Sequence, residues 1–140
     1  MNIVLSCAAD RKLGRGAYII YKGGKKLVSD SFNINKSDDS TLKEYVFESL
    51  IRGLRSVRNT VKHEDLLLIK LPNIHMVEWL NGSKEYKGYN NYLDVISDLI
   101  DTIDCKYLFT KDTVKDAKKL CEEVIEVKVL GLEEAFSDME

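Results

Sequence analysis

The most constraining feature of this sequence is its opening third, which contains three strand-forming stretches and a two-glycine turn. Residues 2–7 form a short apolar run, residues 17–21 form another, and residues 26–32 alternate polar and apolar side chains. Runs of this kind, bounded by turn residues, predict β-strands. Gly23 and Gly24 separate the last two runs and supply the positive φ that a tight hairpin turn requires. The pattern therefore predicts an antiparallel hairpin near the start of the chain.

The rest of the chain alternates helical and strand patterns. Residues 65–70 are continuously apolar between charged ends, which is typical of a central parallel strand covered on both faces. Residues 106–109 predict another strand, and residues 41–54, 74–80, 92–103 and 113–124 predict helices. The first helix should bury one side, formed by Leu42, Tyr45, Val46, Ser49, Leu50, Gly53 and Leu54. The fold class is therefore α/β, with an antiparallel opening hairpin at the edge of a mixed five-stranded sheet and helices on both faces.

Charge divides the chain into a mildly basic body and an acidic end. Residues 122–140 contain seven acidic side chains and one basic side chain, so residues 1–121 carry an excess of four positive charges. We predict one domain over residues 1–124 and an acidic strand or arm over residues 125–140, in which residues 125–129 alternate as an edge strand does. An excess of this size is weak evidence for a polyanionic partner.

The sequence lacks membrane-targeting segments and closely spaced cysteines, and both absences exclude classes of function. No apolar run reaches membrane-spanning length and no signal-peptide pattern follows Met1, so we expect no membrane partner and a cytoplasmic location. Cys7, Cys105 and Cys121 are widely spaced and form no C-x-x-C pair. We therefore expect free thiols, with no zinc site, no disulfide framework and no cofactor.

Several local features, together with this element order, are shared with one fold family. A first strand leads through a short loop into Gly16-Ala17, and a helix begins at Thr41 and closes on Gly53-Leu54. Residues 68–79 and 116–121 provide a strand with its following helix and a final helix. Over residues 2–124 the chain resembles the ribonuclease H-like family.

This resemblance implies a particular metal site, and the sequence departs from it. Members of the family cleave the RNA strand of RNA–DNA hybrids with two magnesium ions held by four carboxylates. Their positions correspond here to Cys7, Val46, Pro72 and Lys118, none of which carries a carboxylate. Magnesium requires oxygen ligands. The resemblance therefore implies a degenerate member that holds no metal and is not an enzyme.

Acidic residues close to these four positions leave open the alternative of an active nuclease. Glu44 and Glu48 lie two residues from Val46, about 200° around a helix, and so face away from it. Asp10 lies in a loop that can curl back towards the site. If such acids have taken over metal binding, the chain is a divalent-metal-dependent nuclease with relocated carboxylates.

Binding is the leading prediction for function. A nucleic-acid-binding domain for an RNA–DNA hybrid or duplex would contact phosphates through cations in two loops and the last helix, namely Arg11, Lys12, Arg15, Lys84, Lys87 and Lys118. The rival is a protein-interaction module that uses residues 26–32, residues 125–129 or the acidic end and has no nucleic-acid role.

Overall fold

The computed structural model of this chain describes residues 1–35, 39–82 and 88–122. In chain order its elements are β1 (Asn2–Asp10), β2 (Arg15–Lys22), β3 (Lys25–Asn33), α1 (Leu42–Val57), β4 (Leu66–Leu71), α2 (Ile74–Leu80), α3 (Asn90–Asp101) and β5 (Lys106–Lys111). Residues 115–122 are also helical and are called α4. Each element predicted within the described ranges is present.

The five strands form one sheet in the order β3-β2-β1-β4-β5. β1 pairs antiparallel with β2, and β2 with β3, whereas β1 with β4 and β4 with β5 are parallel. Gly23 and Gly24 take φ values of 59° and 81° at the hairpin turn, as the sequence predicts. The mixed sheet with its antiparallel edge is confirmed, and β1 and β4 end at the same edge of the sheet.

Helices cover both faces of the sheet, as predicted. The main core lies between the sheet and α1, and its fully buried side chains include Ile3, Leu5 and Leu67. On the opposite face a smaller cluster joins Ala8 and Ile19 to residues 114 and 117 at the start of α4. Successive residues of β1 thus enter different cores, because side chains alternate across a strand.

Helix α1 begins after Thr41, whose side chain accepts a hydrogen bond from the Glu44 amide at 3.3 Å. The predicted inward side is buried with one exception. Leu42 is 48% exposed, so its predicted burial is wrong. The reason is that a cavity, rather than packed side chains, lies beside this end of α1.

Phe47 is buried although the predicted pattern places it outside the helix's inner face. Its ring stacks on Tyr92 with centroids 5.2 Å apart, because α3 packs against α1. Helix α1 therefore packs against α3 as well as against the sheet.

The acidic strand or arm over residues 125–140 lies outside the described residues. Within the described ranges, none of the helices combines the length and the apolar content needed to cross a bilayer.

Gly53 allows α1 to lie close to β1. A Cβ atom at this position would lie 2.8 Å from Leu5 Cδ1 and 3.4 Å from Cys7 Sγ. Leu5 is fully buried, so its side chain has little room to move. The absence of a side chain at Gly53 thus sets the spacing between helix and sheet.

We predict that Gly53→Ala lowers the free energy of unfolding by roughly 1–2 kcal/mol, because overpacking against Leu5 outweighs the better helix propensity of alanine. Urea unfolding followed by circular dichroism measures the change. Arg55→Ala, at an exposed position of the same helix, is the control and should stay within about 0.5 kcal/mol. A Gly53→Ala protein as stable as the wild type would contradict the close-packing argument.

Candidate functional site

Two of the four positions that the resemblance singles out, Cys7 and Pro72, lie near the carboxyl ends of β1 and β4. Ser6 is in register with Lys70, so Cys7 comes level with Leu71, and Pro72 follows one residue later. Cys7 is fully buried and belongs to the core beneath α1. Its thiol therefore faces the helix and not the solvent.

Val46 and Pro72 meet at one cavity of about 260 Å³ between α1 and the start of α2. We call it the α1–α2 cavity. Its lining residues are Thr41, Leu42, Lys43, Val46, Pro72, Asn73 and Met76. Val46 and Met76 are almost completely buried and form its floor. The structure thus brings together two of the four positions that the resemblance singles out, and it surrounds them mainly with apolar side chains.

Lys118 lies elsewhere. It is exposed on α4, while its neighbour Ala117 is buried against Ala8 on the face of the sheet opposite to α1. Cys7 belongs to the core on the α1 face. Lys118 is therefore not among the described residues that line the α1–α2 cavity.

The nearby acids are engaged in structural hydrogen bonds. Asp10 accepts a hydrogen bond from the Leu13 amide at 3.1 Å, and Asp116 accepts one from the Tyr21 hydroxyl at 3.1 Å. Asp112 accepts from the Val114 amide and lies 3.5 Å from Lys70 Nζ. Both contacts hold the pKa of Asp112 below its ordinary value, the amide hydrogen bond more strongly.

A divalent cation does not fit the donor set that the structure gathers here. Over residues 1–35, 39–82 and 88–122, no three His, Cys, Asp or Glu side chains lie close enough to hold one metal ion. The α1–α2 cavity offers a hydroxyl, an amide and an ammonium group, and Mg²⁺ prefers several carboxylate oxygens. We therefore assign no chemistry to a metal at this position.

The thiols are held in their neutral form. Burial raises the pKa of Cys7 far above the ordinary thiol value. Burial, assisted by the charge of Asp10, raises the pKa of Cys121 to about 11. The pKa of Cys105 is raised too, mainly by burial and less by Asp65, although its side chain is only half-buried. Because the thiolate is the nucleophile and the metal ligand, none of the three is prepared for either role.

The predicted phosphate-contacting cations differ in accessibility. Arg11 and Lys12 are exposed in the loop between β1 and β2. Arg15 is only 2% exposed; its Nη1 donates to Asn33 Oδ1, and its Nε and Nη2 have no hydrogen-bond partner among the described residues. A side chain buried in this way offers no accessible contact to a duplex backbone. Lys84 and Lys87 lie outside the described residues.

Sequence reasoning missed a group of aromatic side chains beside the α1–α2 cavity. Trp79 and Tyr89 have ring centroids 5.8 Å apart, and Lys43 Nζ lies 5.7 Å from the centroid of the Trp79 ring. The Tyr89 hydroxyl is 2.9 Å from Thr41 Oγ1. Thr41 and Lys43 are 36 or more positions from Trp79 and Tyr89 in the sequence, so no local spacing could have predicted their contact.

Comparison with solved structures identifies the fold. The structure of RNase H1 from the halophilic archaeon Halobacterium salinarum superposes with a TM-score of 0.74 at 14% identity, covering 90% of this chain and 98% of that one. The chain has a ribonuclease H-like fold. The element order and the resemblance in sequence both predict this fold, and the superposition confirms it. No family model and no curated protein sequence matches the chain.

Two further solved structures share this ribonuclease H-like fold. LC11-RNase H1 in complex with an RNA/DNA hybrid has a TM-score of 0.68 at 16% identity, covering 84% of this chain and 89% of that one. The N-terminal RNase H domain of rv2228c from Mycobacterium tuberculosis, solved as a fusion with maltose-binding protein, has a TM-score of 0.60 at 13% identity, covering 86% and 95%.

Thiol reactivity tests the burial described above. In the folded protein near pH 8, we expect Cys105 to react with an aromatic disulfide reagent, while Cys7 and Cys121 react only as fast as the protein unfolds. Mass spectrometry of the labelled peptides identifies the site of each reaction. In denaturant all three should react, which is the control. Labelling of Cys7 at the rate of Cys105 would show that β1 is open beneath α1.

Proposed function

We propose that this chain is a catalytically silent ribonuclease H-like domain that binds nucleic acid, either an RNA–DNA hybrid or a duplex. The observation that carries the proposal is the α1–α2 cavity, in which Val46 and Pro72 stand where the resemblance implies carboxylates. A fold shared with an RNase H1 solved in complex with an RNA/DNA hybrid supports the choice of ligand.

The loss of hydrolysis follows from the ligand chemistry. Two-metal cleavage requires oxygen anions that position both ions and neutralise their charge. Cys7 is a buried neutral thiol, and Val46 and Pro72 have side chains with no donor atom. Lys118 is not a carboxylate either, and it lies on α4, away from the α1–α2 cavity. The proposed domain therefore retains the fold without its reaction.

The loop between β1 and β2 supports phosphate contacts. Arg11 and Lys12 are adjacent and exposed there, and the loop follows directly from the end of β1. Lys118 adds an exposed cation on α4. Cations that contact phosphates release counterions, so binding of this kind weakens as salt rises. Because Arg15 is buried, it takes no part in the proposed contact surface.

We predict that a labelled RNA–DNA hybrid binds the chain at low salt, measured by fluorescence anisotropy over a salt titration. Replacing both Arg11 and Lys12 with Gln should weaken binding about tenfold. It should also reduce the slope of log K against log salt concentration by about two, because two phosphate contacts are lost. Replacing both Lys25 and Lys26, which are exposed at the start of β3, removes the same charge and is the control. No binding at low salt, or an equal loss in the control, would contradict the proposal.

Cleavage is the second test. With Mg²⁺ or Mn²⁺ present, we expect no divalent-dependent cleavage of the hybrid, on gels that resolve single-nucleotide products. Asp10→Asn should behave as the wild type does. Divalent-dependent cleavage that Asp10→Asn abolishes would instead establish the nuclease with relocated carboxylates.

A protein-interaction module is the second candidate, and the position of β3 favours it. β3 is an edge strand of the sheet in the described part of the chain, and it carries Leu27, which is 53% exposed. An open edge can accept an added strand from a partner. Capture of a protein partner that Leu27→Asp abolishes, with hybrid binding absent, would favour this candidate.

A further inference from the structure

The α1–α2 cavity has an apolar floor and an exposed apolar rim. Val46 is 1% exposed and Met76 is fully buried, so the floor is fixed in place by the core. Leu42 lines the opening and is 48% exposed, and Pro72 lines it from the start of α2. Large apolar side chains gathered around a concavity mark a place where a partner buries apolar surface.

The side-chain oxygens of Thr41 and Asn73, at the rim, already take part in hydrogen bonds within the protein. Thr41 Oγ1 accepts a hydrogen bond from the Glu44 amide and lies within hydrogen-bond distance of the Tyr89 hydroxyl. Asn73 Oδ1 accepts hydrogen bonds from the amides of His75, at 2.9 Å, and Met76, at 3.2 Å. These two side chains cap α1 and α2, and their oxygens have little capacity left for a ligand.

This arrangement favours an apolar side chain as occupant. Asn73 Nδ2 and Lys43 Nζ can donate to the acceptors of a nucleobase, but the engaged oxygens of Thr41 and Asn73 offer little to its donors, and burying donors without partners costs free energy. An aliphatic or aromatic side chain needs no such partners. The volume of about 260 Å³ is also below the roughly 300–1,000 Å³ of typical small-molecule sites, and it suits a single side chain.

Charge adds a second requirement for the partner. Lys43 is the one charged residue among the described residues that line the cavity, and none of them is acidic. Its ammonium group lies over the Trp79 ring at 5.7 Å, which holds it beside the opening. A carboxylate adjacent to the inserted side chain would complement this charge.

We infer that the α1–α2 cavity is a docking site for a protein partner that inserts one large apolar side chain flanked by an acidic residue. The inference goes beyond nucleic-acid binding and does not depend on it. In this proposal, two positions that the resemblance assigns to metal ligands, Val46 and Pro72, instead line a binding site for a partner's side chain.

The test begins with a displayed library of random peptides selected against the full chain. Selected peptides should share one Leu, Ile, Met, Phe or Trp next to an Asp or Glu. With a synthetic peptide of the selected sequence, Leu42→Ser should weaken binding about tenfold in anisotropy measurements. Lys43→Gln should weaken it about two- to threefold.

Leu108→Ser is the matched control, because Leu108 is also 48% exposed but lies on β5. It should leave peptide affinity within about twofold. The inference is overturned if no such sequence is enriched, or if Leu108→Ser weakens binding as much as Leu42→Ser does. Three other outcomes also overturn it by naming a different occupant: displacement of the peptide by mononucleotides, displacement by a peptide of residues 125–140, and self-association that Leu42→Ser abolishes.

Discussion

The close contact between α1 and β1 is the constraint on which the rest of the structure depends. Gly53 lets the helix approach Leu5 and Cys7, and the buried Ser49 hydroxyl donates a hydrogen bond to the Ala8 carbonyl at 2.8 Å. A side chain at position 53 would push the helix outwards, and loss of the hydroxyl would leave a buried acceptor with one partner fewer. These contacts fix where the first turns of α1 stand relative to the ends of β1 and β4.

The same contact determines what the candidate site can do. Because α1 lies close to the sheet, Cys7 is sealed from solvent and Val46 forms the floor of the α1–α2 cavity. A carboxylate at either position would be buried without a metal ion or cation to balance it, which raises its pKa and destabilises the fold. Apolar side chains avoid this cost. Under the proposed function, the apolar side chain of Val46 and the neutral thiol of Cys7, at positions that the resemblance assigns to metal ligands, are therefore also suited to close packing beneath α1.

Much of the fold could be predicted from local patterns in the sequence. Gly23-Gly24 predicts the hairpin because its turn conformation depends mainly on those two residues, and the apolar run in residues 65–70 predicts the parallel strand β4. The expected burial of both faces of β4 is wrong, because Leu67, Ile69 and Leu71 are fully buried whereas Leu66, on the other face, is 38% exposed. The sequence offers Ser40 or Thr41 as the cap of α1, and the structure uses Thr41, which accepts a hydrogen bond from the amide three residues later. Each of these signals is contained in a few neighbouring residues.

The rest depends on contacts between distant parts of the chain. Helical spacing places Leu42 on the inner side of α1, but spacing carries no information on where the neighbouring core ends. Arg15 resembles any loop cation in the sequence, whereas pairing of β1 with β2 up to Asp10 places it inside the fold. The contact of Lys43 with Trp79 joins two elements that no repeat or motif connects.

The central claim is that the described residues at the edge formed by β1, β4 and α1 do not gather the carboxylates needed to hold a divalent metal. Paramagnetic broadening by Mn²⁺ in amide NMR spectra tests it most directly, because the effect reports proximity to a bound ion whether or not a reaction follows. The account predicts that the amides of Cys7, Val46 and Asn73 are not selectively broadened at stoichiometric Mn²⁺. Selective broadening of these three amides would contradict it.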